Sequence, residues 1–281
     1  MDHQQVSRSA AVVRIRRSRG IRGVNLREIW QYRDLFYYLV WRDIKARYAQ
    51  SVLGIGWAVI QPFAYMIVFS IVFGRLVNVS SDEVPYPIFS YAALVPWTYF
   101  AQSLTGSADS LIRGSNMFTK VYFPRLILPL TPSLTRLVDF VIALSLVFGL
   151  MAWFGSTPTI WVLALPLLVL VMMLTASGLG MWITALAVQY RDVKFGMSFA
   201  VQLLMYASPV VYPASLIPDQ YRLLYSLNPM VGIIEGFRSA LLDTNPMPWD
   251  LLAVSGIVSI ALAISGAFYF RRVERIFADV V

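Results

Sequence analysis

The chain has 281 residues, of which 58% are apolar and 14% charged, and its formal net charge is +8. Its mean hydropathy is +0.65. A single soluble core could not bury that much apolar surface, so the composition predicts an all-α integral membrane protein. The absence of cysteine excludes a disulfide framework and a thiolate metal site, and the one histidine is His3. We expect no catalytic and no metal site.

Residues 1–25 are polar and contain six arginines. They lack the apolar centre and the cleavage site of a secretory signal, so we predict a basic, flexible tail on the cytoplasmic side.

Residues 26–49 are predicted to form an amphipathic interface helix in the membrane surface. Apolar residues and rings recur at helical spacing, namely Leu26, Trp30, Tyr37, Trp41, Ile44 and Tyr48. The polar side carries Arg27, Gln31, Asp34, Arg42 and Lys45. Two interpretations stay open: a simple anchor for the first span, or a binding surface for a lipid diphosphate or a soluble partner.

Uncharged stretches of about 20 residues are long enough to cross a ~30 Å hydrocarbon layer. The uncharged run 140–190 is too long for one span and is divided at the glycine and proline of "GSTP", 155–158. Six transmembrane helices are therefore predicted at 52–74, 86–109, 127–154, 159–189, 195–212 and 250–270. They make up a transmembrane domain at 50–272, which a short cytoplasmic tail follows at 273–281.

The distribution of basic residues predicts the orientation of these spans. With both termini in the cytoplasm, 20 of the 23 Lys and Arg residues lie on the inner side. Membrane orientation and anionic lipids explain the net positive charge, so we expect no nucleic-acid partner.

Two connecting segments are more apolar than simple connectors. The inner loop 111–126 contains "NMFTKVYF", whose rings predict either a helix that docks into a cytoplasmic protein, which we favour, or a second interfacial helix.

The outer segment 208–248 holds six of the 15 prolines, so it cannot be one helix. We predict two short helices, 221–227 and 230–242, that dip into the outer membrane face as a lid. An internal ion pair is the alternative role for Glu235 and Arg238.

Several of these segments resemble the ABC-2 type permeases that export polysaccharides, above all the O-antigen exporters and next the capsule and teichoic-acid exporters. The resemblance covers 26–276 and is carried by "RDIKARYAQSVLGIGWAVIQP", "NMFTKVYFPRLILP", "YRD", "SPVVYP" and "SLNPM". It implies a permease homodimer in the bacterial cytoplasmic (inner) membrane, paired with two copies of a separate ATPase that binds ATP and Mg. We expect no cofactor in this chain.

The resemblance also implies roles for particular residues. The ATPase would contact the interface helix and the inner loop through Asp34, Asp43, Asn116, Phe118, Lys120, Tyr122 and Phe123. The outer gate at 213–242 would include Tyr212, Pro213, Arg222, Glu235 and Arg238. The cargo would be an undecaprenyl-diphosphate-linked glycan, and Arg42, Lys45 and Arg47 are placed to bind its diphosphate.

The residues themselves indicate a driven pore. No GxxxxGK[ST] phosphate loop is present, so the energy of ATP must come from a partner. Asp139, well within a span, has Arg136 one turn away, which predicts a buried pair, and Ala176, Gly180 and Thr184 predict close helix packing. Rings that could line the translocation path are Trp57, Tyr65, Tyr91, Trp97 and Tyr99. The alternatives are export of capsule, teichoic acid or a small amphiphile, or a stand-alone channel or carrier.

Overall fold

The computed structural model describes residues 26–49, 54–118, 123–190 and 192–274, and every regular element within those ranges is helical. The α-helices are α1 Leu26–Gln31, α2 Arg33–Tyr48, α3 Trp57–Phe69, α4 Tyr86–Phe118, α5 Ile127–Phe154, α6 Leu165–Gln189, α7 Asp192–Tyr206, α8 Asp219–Ser226, α9 Pro229–Leu242 and α10 Trp249–Val273. Short 3-10 turns precede α3, α6 and α8, and a π-helical segment, Ser70–Leu76, continues α3. The predicted all-α class is confirmed.

Within the described ranges, four helical stretches are long and apolar enough to cross a membrane: Gly54–Leu76, Ile127–Phe154, Ile160–Gln189 and Trp249–Val273. They coincide with four of the six predicted spans, so the chain is a multi-pass membrane protein. The other two predicted spans correspond to α4, which carries many polar residues, and to α7, which has only 15 residues. The six-span arrangement stays a prediction.

Helix α4 lies at the centre of the bundle and contacts α3, α5, α6, α7 and α9. Small side chains allow this close packing: a Cβ added at Gly106 would lie 2.9 Å from the Cβ of Pro132 in α5. The hydroxyl of Thr184 in α6 donates to the carbonyl of Ser107 at 2.8 Å, and Ala176 is fully buried. The tract that includes Gly180 is thus a packing surface, as the sequence predicts.

The predicted single interface helix 26–49 is two consecutive helices, α1 and α2, separated at Tyr32. Together they have two apolar sides, and the sequence pattern indicates only one of them. Three rings of the predicted stripe are exposed, with 68% of Trp30, 71% of Tyr37 and 46% of Trp41 accessible, whereas Tyr48 is partly buried. A second side carries Leu39, which is fully buried in what we call the inner core, a cluster built around Leu111, Phe123, Leu126, Ile127, Phe270 and Val273. Ile29, Tyr32, Leu35 and Phe36 pack against the same cluster. The helix is therefore attached to the bundle as well as presenting rings outward.

The outer segment contains the two predicted short helices, α8 and α9, within about two residues of their predicted ends. The "SLNP" motif explains where α9 begins: the side chain of Asn228 accepts a hydrogen bond from the Met230 N–H, and Pro229 is the first helical residue. Every residue of α9 is buried. Helix α7 ends at Tyr206, before the predicted end at 212, because the prolines at 209 and 213 interrupt it.

Candidate functional site

A buried ion pair organises the end of the bundle that is predicted to face outward. Nη1 of Arg238 lies 2.8 Å from Oε1 of Glu235, one turn earlier in α9, and the Arg238 side chain is fully buried. The guanidinium carbon also lies 3.6 Å from the centroid of the Phe89 ring, a cation–π contact. The ion pair that the sequence left open as the alternative role of Glu235 and Arg238 is present, and we call these two residues and Phe89 the Arg238 cluster.

The Arg238 cluster holds the irregular backbone between α7 and α8. Arg238 donates from Nη2 to the carbonyl of Val210 at 2.9 Å and from Nη1 to that of Tyr212 at 3.3 Å. The hydroxyl of Tyr86 donates to the intervening carbonyl, Val211, at 2.6 Å. Backbone that leaves the helical pattern inside a membrane protein needs such partners, because lipid offers none. The "SPVVYP" motif is thus held in place by side chains from α4 and α9.

The remaining predicted gate residues lie around this centre. The hydroxyl of Tyr212 donates to the carbonyl of Tyr206 and accepts from Tyr225 at 3.2 Å, while Pro213 is buried. Arg222 lies apart from the Arg238 cluster, in a half-exposed pair 3.3 Å from Asp250 of α10. Such an exposed pair contributes about 1 kcal/mol at most.

A second polar site lies where the interface helix meets the first span. Asp139 of α5 accepts hydrogen bonds from Nη1 of Arg47 at 2.6 Å, from Nη1 of Arg136 at 3.1 Å and from the Tyr48 hydroxyl. The predicted pair with Arg136 is confirmed. Sequence reasoning missed Arg47 and Tyr48 as partners because they lie 92 and 91 residues away.

These residues line an open cleft of about 110 Å³ between α2, α3, α4 and α5, which we call the junction cleft. Arg136 also donates to Oε1 of Gln102 at 2.7 Å, and Nε2 of Gln102 donates to Oε1 of Gln61 at 3.3 Å. Burial, and next its hydrogen bond to Asp139, raise the pKa of Tyr48 to about 12. Tyr48 therefore remains a neutral hydrogen-bond donor at neutral pH.

The three predicted diphosphate ligands have different surroundings. Arg42 donates to Asp43 through Nε at 3.1 Å and Nη2 at 2.8 Å, and Nζ of Lys45 lies 5.4 Å from the centroid of the Trp41 ring. Of the three, it is Arg47 that lines the junction cleft.

Several of the predicted ATPase-contact residues lie outside the part of the chain that the structure describes. Asp34 is exposed beside Arg33, whereas Phe123 is buried in the inner core. Asn116 and Phe118 belong to the last turn of α4, but the side chains of 112–118 are not described, and Lys120 and Tyr122 lie outside the described residues altogether. The tails 1–25 and 275–281 lie outside them too.

Charged side chains near the inner core connect distant segments. Nη2 of Arg271 lies 3.4 Å from Oε2 of Glu28, which joins the end of α10 to α1. Nη1 of Arg125 donates to the carbonyl of Glu274 at 3.2 Å. Burial raises the pKa of the Glu274 carboxyl above its usual value, although Arg271 and Arg125 act in the opposite direction.

The five rings predicted to line a path divide into two groups. Trp57 and Tyr65 are 55% and 45% exposed on α3. Tyr91, Trp97 and Tyr99 of α4 are buried in the core. The Tyr99 hydroxyl donates to the Ser133 carbonyl at 2.8 Å, and its ring packs edge-on against Phe140.

This architecture defines a multi-pass helical membrane protein in which a short, fully buried helix, α9, follows the largely exposed short helix α8. The chain belongs to the ABC-2 type transporter family, whose model matches residues 34–242.

Three relatives with similar sequences align with most of the chain. The chain is 33% identical to an O-antigen export system permease protein, RfbA, of Myxococcus xanthus. The aligned region has 254 residues and covers 89% of this chain and 96% of the relative. A protein of the same description from Klebsiella pneumoniae is 25% identical over 249 residues, with 88% of this chain and 95% of the relative covered. The polysialic acid transport protein KpsM of Escherichia coli is 22% identical over 241 residues, with 83% and 91% covered.

Proposed function

We propose that this chain is the membrane-spanning permease subunit of an ATP-driven transporter that exports a lipid-linked polysaccharide of the O-antigen type. The observation that carries this proposal is the similarity to the Myxococcus xanthus O-antigen permease, which extends over 96% of that protein. The chain itself does not hydrolyse ATP in this proposal; a separate ATPase, present in two copies, binds ATP and Mg.

Two copies of the chain form the permease, in the bacterial cytoplasmic membrane and with both termini in the cytoplasm. Each copy contributes six spans, which include α4 and α7. Helix α4 carries polar residues such as Ser103 and Ser107, but both are fully buried by neighbouring helices and do not face lipid. With 33 residues, α4 rises about 50 Å, more than a bilayer core requires. The irregular segment 207–217 continues the crossing beyond the end of the short helix α7.

The ATPase drives the permease through the interface helix and the inner loop. In this proposal Asp34 and Asp43, together with Asn116, Phe118, Lys120 and Tyr122, contact the ATPase. The burial of Phe123 supports a role in fixing the end of the loop, so that a push on it moves α5. Replacement of Phe118 or Tyr122 by alanine should abolish transport, whereas retained transport would contradict this coupling route.

The outer gate opens mainly by movement of α8. Helix α9 is entirely buried and tied to α4 through Arg238, whereas Leu223 and Leu224 of α8 are largely exposed. Tyr212, Pro213 and Arg222 lie on the segment that would move, and Glu235 and Arg238 hold its base. Trp57 and Tyr65 would face the passing sugar, while Tyr91, Trp97 and Tyr99 support the wall from within the core.

The cargo is a glycan on undecaprenyl diphosphate, with Arg42, Lys45 and Arg47 near its diphosphate. Deletion of the gene tests the function directly: the surface glycan should disappear and its lipid-linked precursor should accumulate on the inner side. Expression of the intact gene should restore export. A normal surface glycan in the deletion strain would overturn the proposal.

Export of a capsule-type polymer is the second candidate, and the likeness to the polysialic acid transport protein favours it. The same deletion separates the two, because the missing glycan would be a capsule. Teichoic acid or a small amphiphile as cargo would be identified in the same way. Nucleotide-independent transport by vesicles that contain this chain alone would indicate a stand-alone channel or carrier instead.

A further inference from the structure

One face of α4 differs from the rest of that helix. Between Ile88 and Leu111 most side chains are buried, as expected for a helix at the centre of the bundle. The residues of this stretch that are not buried are Thr98, Ala101, Gln102, Thr105 and Asp109. Their spacing of i, i+3, i+4, i+7 and i+11 places them along one side of the helix. All of them except Ala101 are polar, and we call the other four the polar stripe.

Side chains of α3 and α7 reach the polar stripe. Nε2 of Gln102 donates to Oε1 of Gln61 in α3 at 3.3 Å. Nζ of Lys194 in α7 lies 2.5 Å from Oδ1 of Asp109, so these two charges compensate each other. The polar stripe is therefore bordered by a polar residue from each of two neighbouring helices.

Both neighbouring helices continue this polar surface. Ser198 and Gln202 follow Lys194 at i+4 and i+8 on α7, and both are exposed. On α3, Gln61 is exposed between Trp57 and Tyr65, which lie four residues before and after it and are exposed as well. We call the polar stripe, together with Gln61, Lys194, Ser198 and Gln202, the polar wall.

Part of the polar wall lies at membrane depth. Gln61 comes seven residues after the start of the stretch Gly54–Leu76, which is long enough to cross a membrane, and so lies about 10 Å along it. The hydrogen bond to Gln61 places Gln102 at the same level. Amides that face hydrocarbon leave donors and acceptors unsatisfied, which is costly. The polar wall therefore does not fit a surface that faces lipid.

Helix α10 shows what a lipid-facing surface of this protein looks like. Between Leu251 and Phe270 every exposed residue of α10 is apolar, namely Ala253, Ile257, Ile260, Ala261, Ile264 and Phe268. The contrast with α4 separates two kinds of exposed face in one bundle.

We infer that the polar wall lines a hydrated path and forms hydrogen bonds with the hydroxyl groups of a polyhydroxylated chain. Glutamine amides and threonine hydroxyls each donate and accept, so they can exchange water for sugar hydroxyls. Trp57 and Tyr65, on the same side of α3 as Gln61, add rings for the C–H faces of the sugar. This inference rests on the proposed function and deepens it, because it gives α4 hydrogen-bonding contacts in place of its buried rings.

The chain has no cysteine, so single cysteines report on contact with water without background. Thr98→Cys and Thr105→Cys probe the polar stripe, and Ile260→Cys, on the exposed apolar face of α10, is the matched control. The full chain, with its natural partners, is treated in native membranes with a charged methanethiosulfonate reagent applied from both sides. A gel shift with polyethylene glycol maleimide after denaturation counts the cysteines that remain unreacted.

The two stripe cysteines should react at least about tenfold faster than Ile260→Cys, because the reactive thiolate forms in water and not in apolar surroundings. Equally slow reaction at all three positions would overturn the inference. A Thr98→Cys variant that resists the reagent but forms a disulfide-linked dimer on oxidation would overturn it too, because a second copy would then cover the wall.

Contact with the sugar is tested by the rate of export. Thr98→Val removes a hydroxyl at nearly constant shape, and Gln61→Leu removes an amide. Each should slow export about fivefold, the effect of one lost neutral hydrogen bond, and Thr98→Ser should restore the rate. Ser145→Ala is the control, because the exposed Ser145 hydroxyl donates within α5 to the carbonyl of Ile142 at 2.7 Å.

Wild-type export in both Thr98→Val and Gln61→Leu would overturn the contact with the sugar. The cysteine reaction does not depend on the cargo, whereas the gene deletion tests the cargo itself, so the inference and the proposed function can fail separately.

Discussion

The guanidinium carbon of Arg238 lies over the Phe89 ring, 3.6 Å from its centroid, and the contact joins two helices across 149 residues of sequence. The same guanidinium bonds to carbonyls on the irregular segment between α7 and α8. One side chain therefore connects the centre of the bundle, the buried outer helix and the backbone of the proposed gate.

Removal of Arg238 should destabilise the protein more than removal of the whole ion pair. Arg238→Met leaves the carboxylate of Glu235 buried without its partner, which costs about 3–5 kcal/mol. The double variant Glu235→Leu with Arg238→Met should recover part of that loss, because no buried charge remains. Thermal unfolding in detergent measures the stability of the single and of the double variant. Equal melting temperatures for the single variant and the wild type would contradict the role of the Arg238 cluster.

Helices α6 and α10 should separate when either of two glycines gains a side chain. A Cβ at Gly178 would lie 2.6 Å from the backbone nitrogen of Ala263, and a Cβ at Gly266 would lie 2.4 Å from the carbonyl oxygen of Gly178. Alanine at either position should cost about 1–3 kcal/mol, as overpacking commonly does. Gly256→Ala, in α10 with no atom within 4 Å of the new Cβ, is the matched control. A loss of stability in the control as large as in Gly178→Ala would show that helix packing is not the cause.

The attachment of the interface helix should depend on Leu39. Leu39→Ala removes a fully buried side chain from the inner core, at a cost of about 2–5 kcal/mol, and should loosen α2 locally. Faster amide hydrogen exchange along α2, measured by mass spectrometry in detergent, would report this loosening. Tyr38→Ala, which truncates a neighbouring residue that is 60% exposed, should leave exchange nearly unchanged.

Glu274 should make the inner end of the protein less stable as the pH rises. Burial raises the pKa of its carboxyl in the folded state, so the folded protein binds more protons than the unfolded chain in the window between the two pKa values. Stability therefore falls with increasing pH across that window, and the contribution present below the unfolded pKa is lost above the folded one.

Glu274→Gln imitates the protonated carboxyl and should remove this dependence. Its melting temperature at neutral pH should equal or exceed that of the wild type, while Glu83→Gln, at an exposed carboxyl, should follow the wild-type pH profile. A lower melting temperature for Glu274→Gln at every pH would mean that the attraction of Arg271 and Arg125 outweighs burial.

Much of the architecture was accessible from local patterns. Uncharged stretches of span length predicted the four helices that are long and apolar enough to cross a membrane. Apolar residues at helical spacing, between the prolines of the outer segment, predicted α8 and α9. The three-residue separation of Glu235 and Arg238 indicated an ion pair as one of two possible roles, and the pair is present. Each of these features depends on neighbours within a few turns of one helix, where spacing alone decides which side chains meet.

The sequence by itself thus determined the helical class, four spans and the ring stripe of the interface helix, because hydropathy and periodicity are properties of a single segment. Only the tertiary structure decided that Leu39 is buried, that Arg47 and Tyr48 reach Asp139, and that Tyr91, Trp97 and Tyr99 lie in the core. Each of these outcomes depends on which helices pack together and on how far they are shifted along their axes relative to one another. Between helices that are mostly apolar, small residues and buried hydrogen bonds determine that packing, and the linear pattern of hydropathy does not record it.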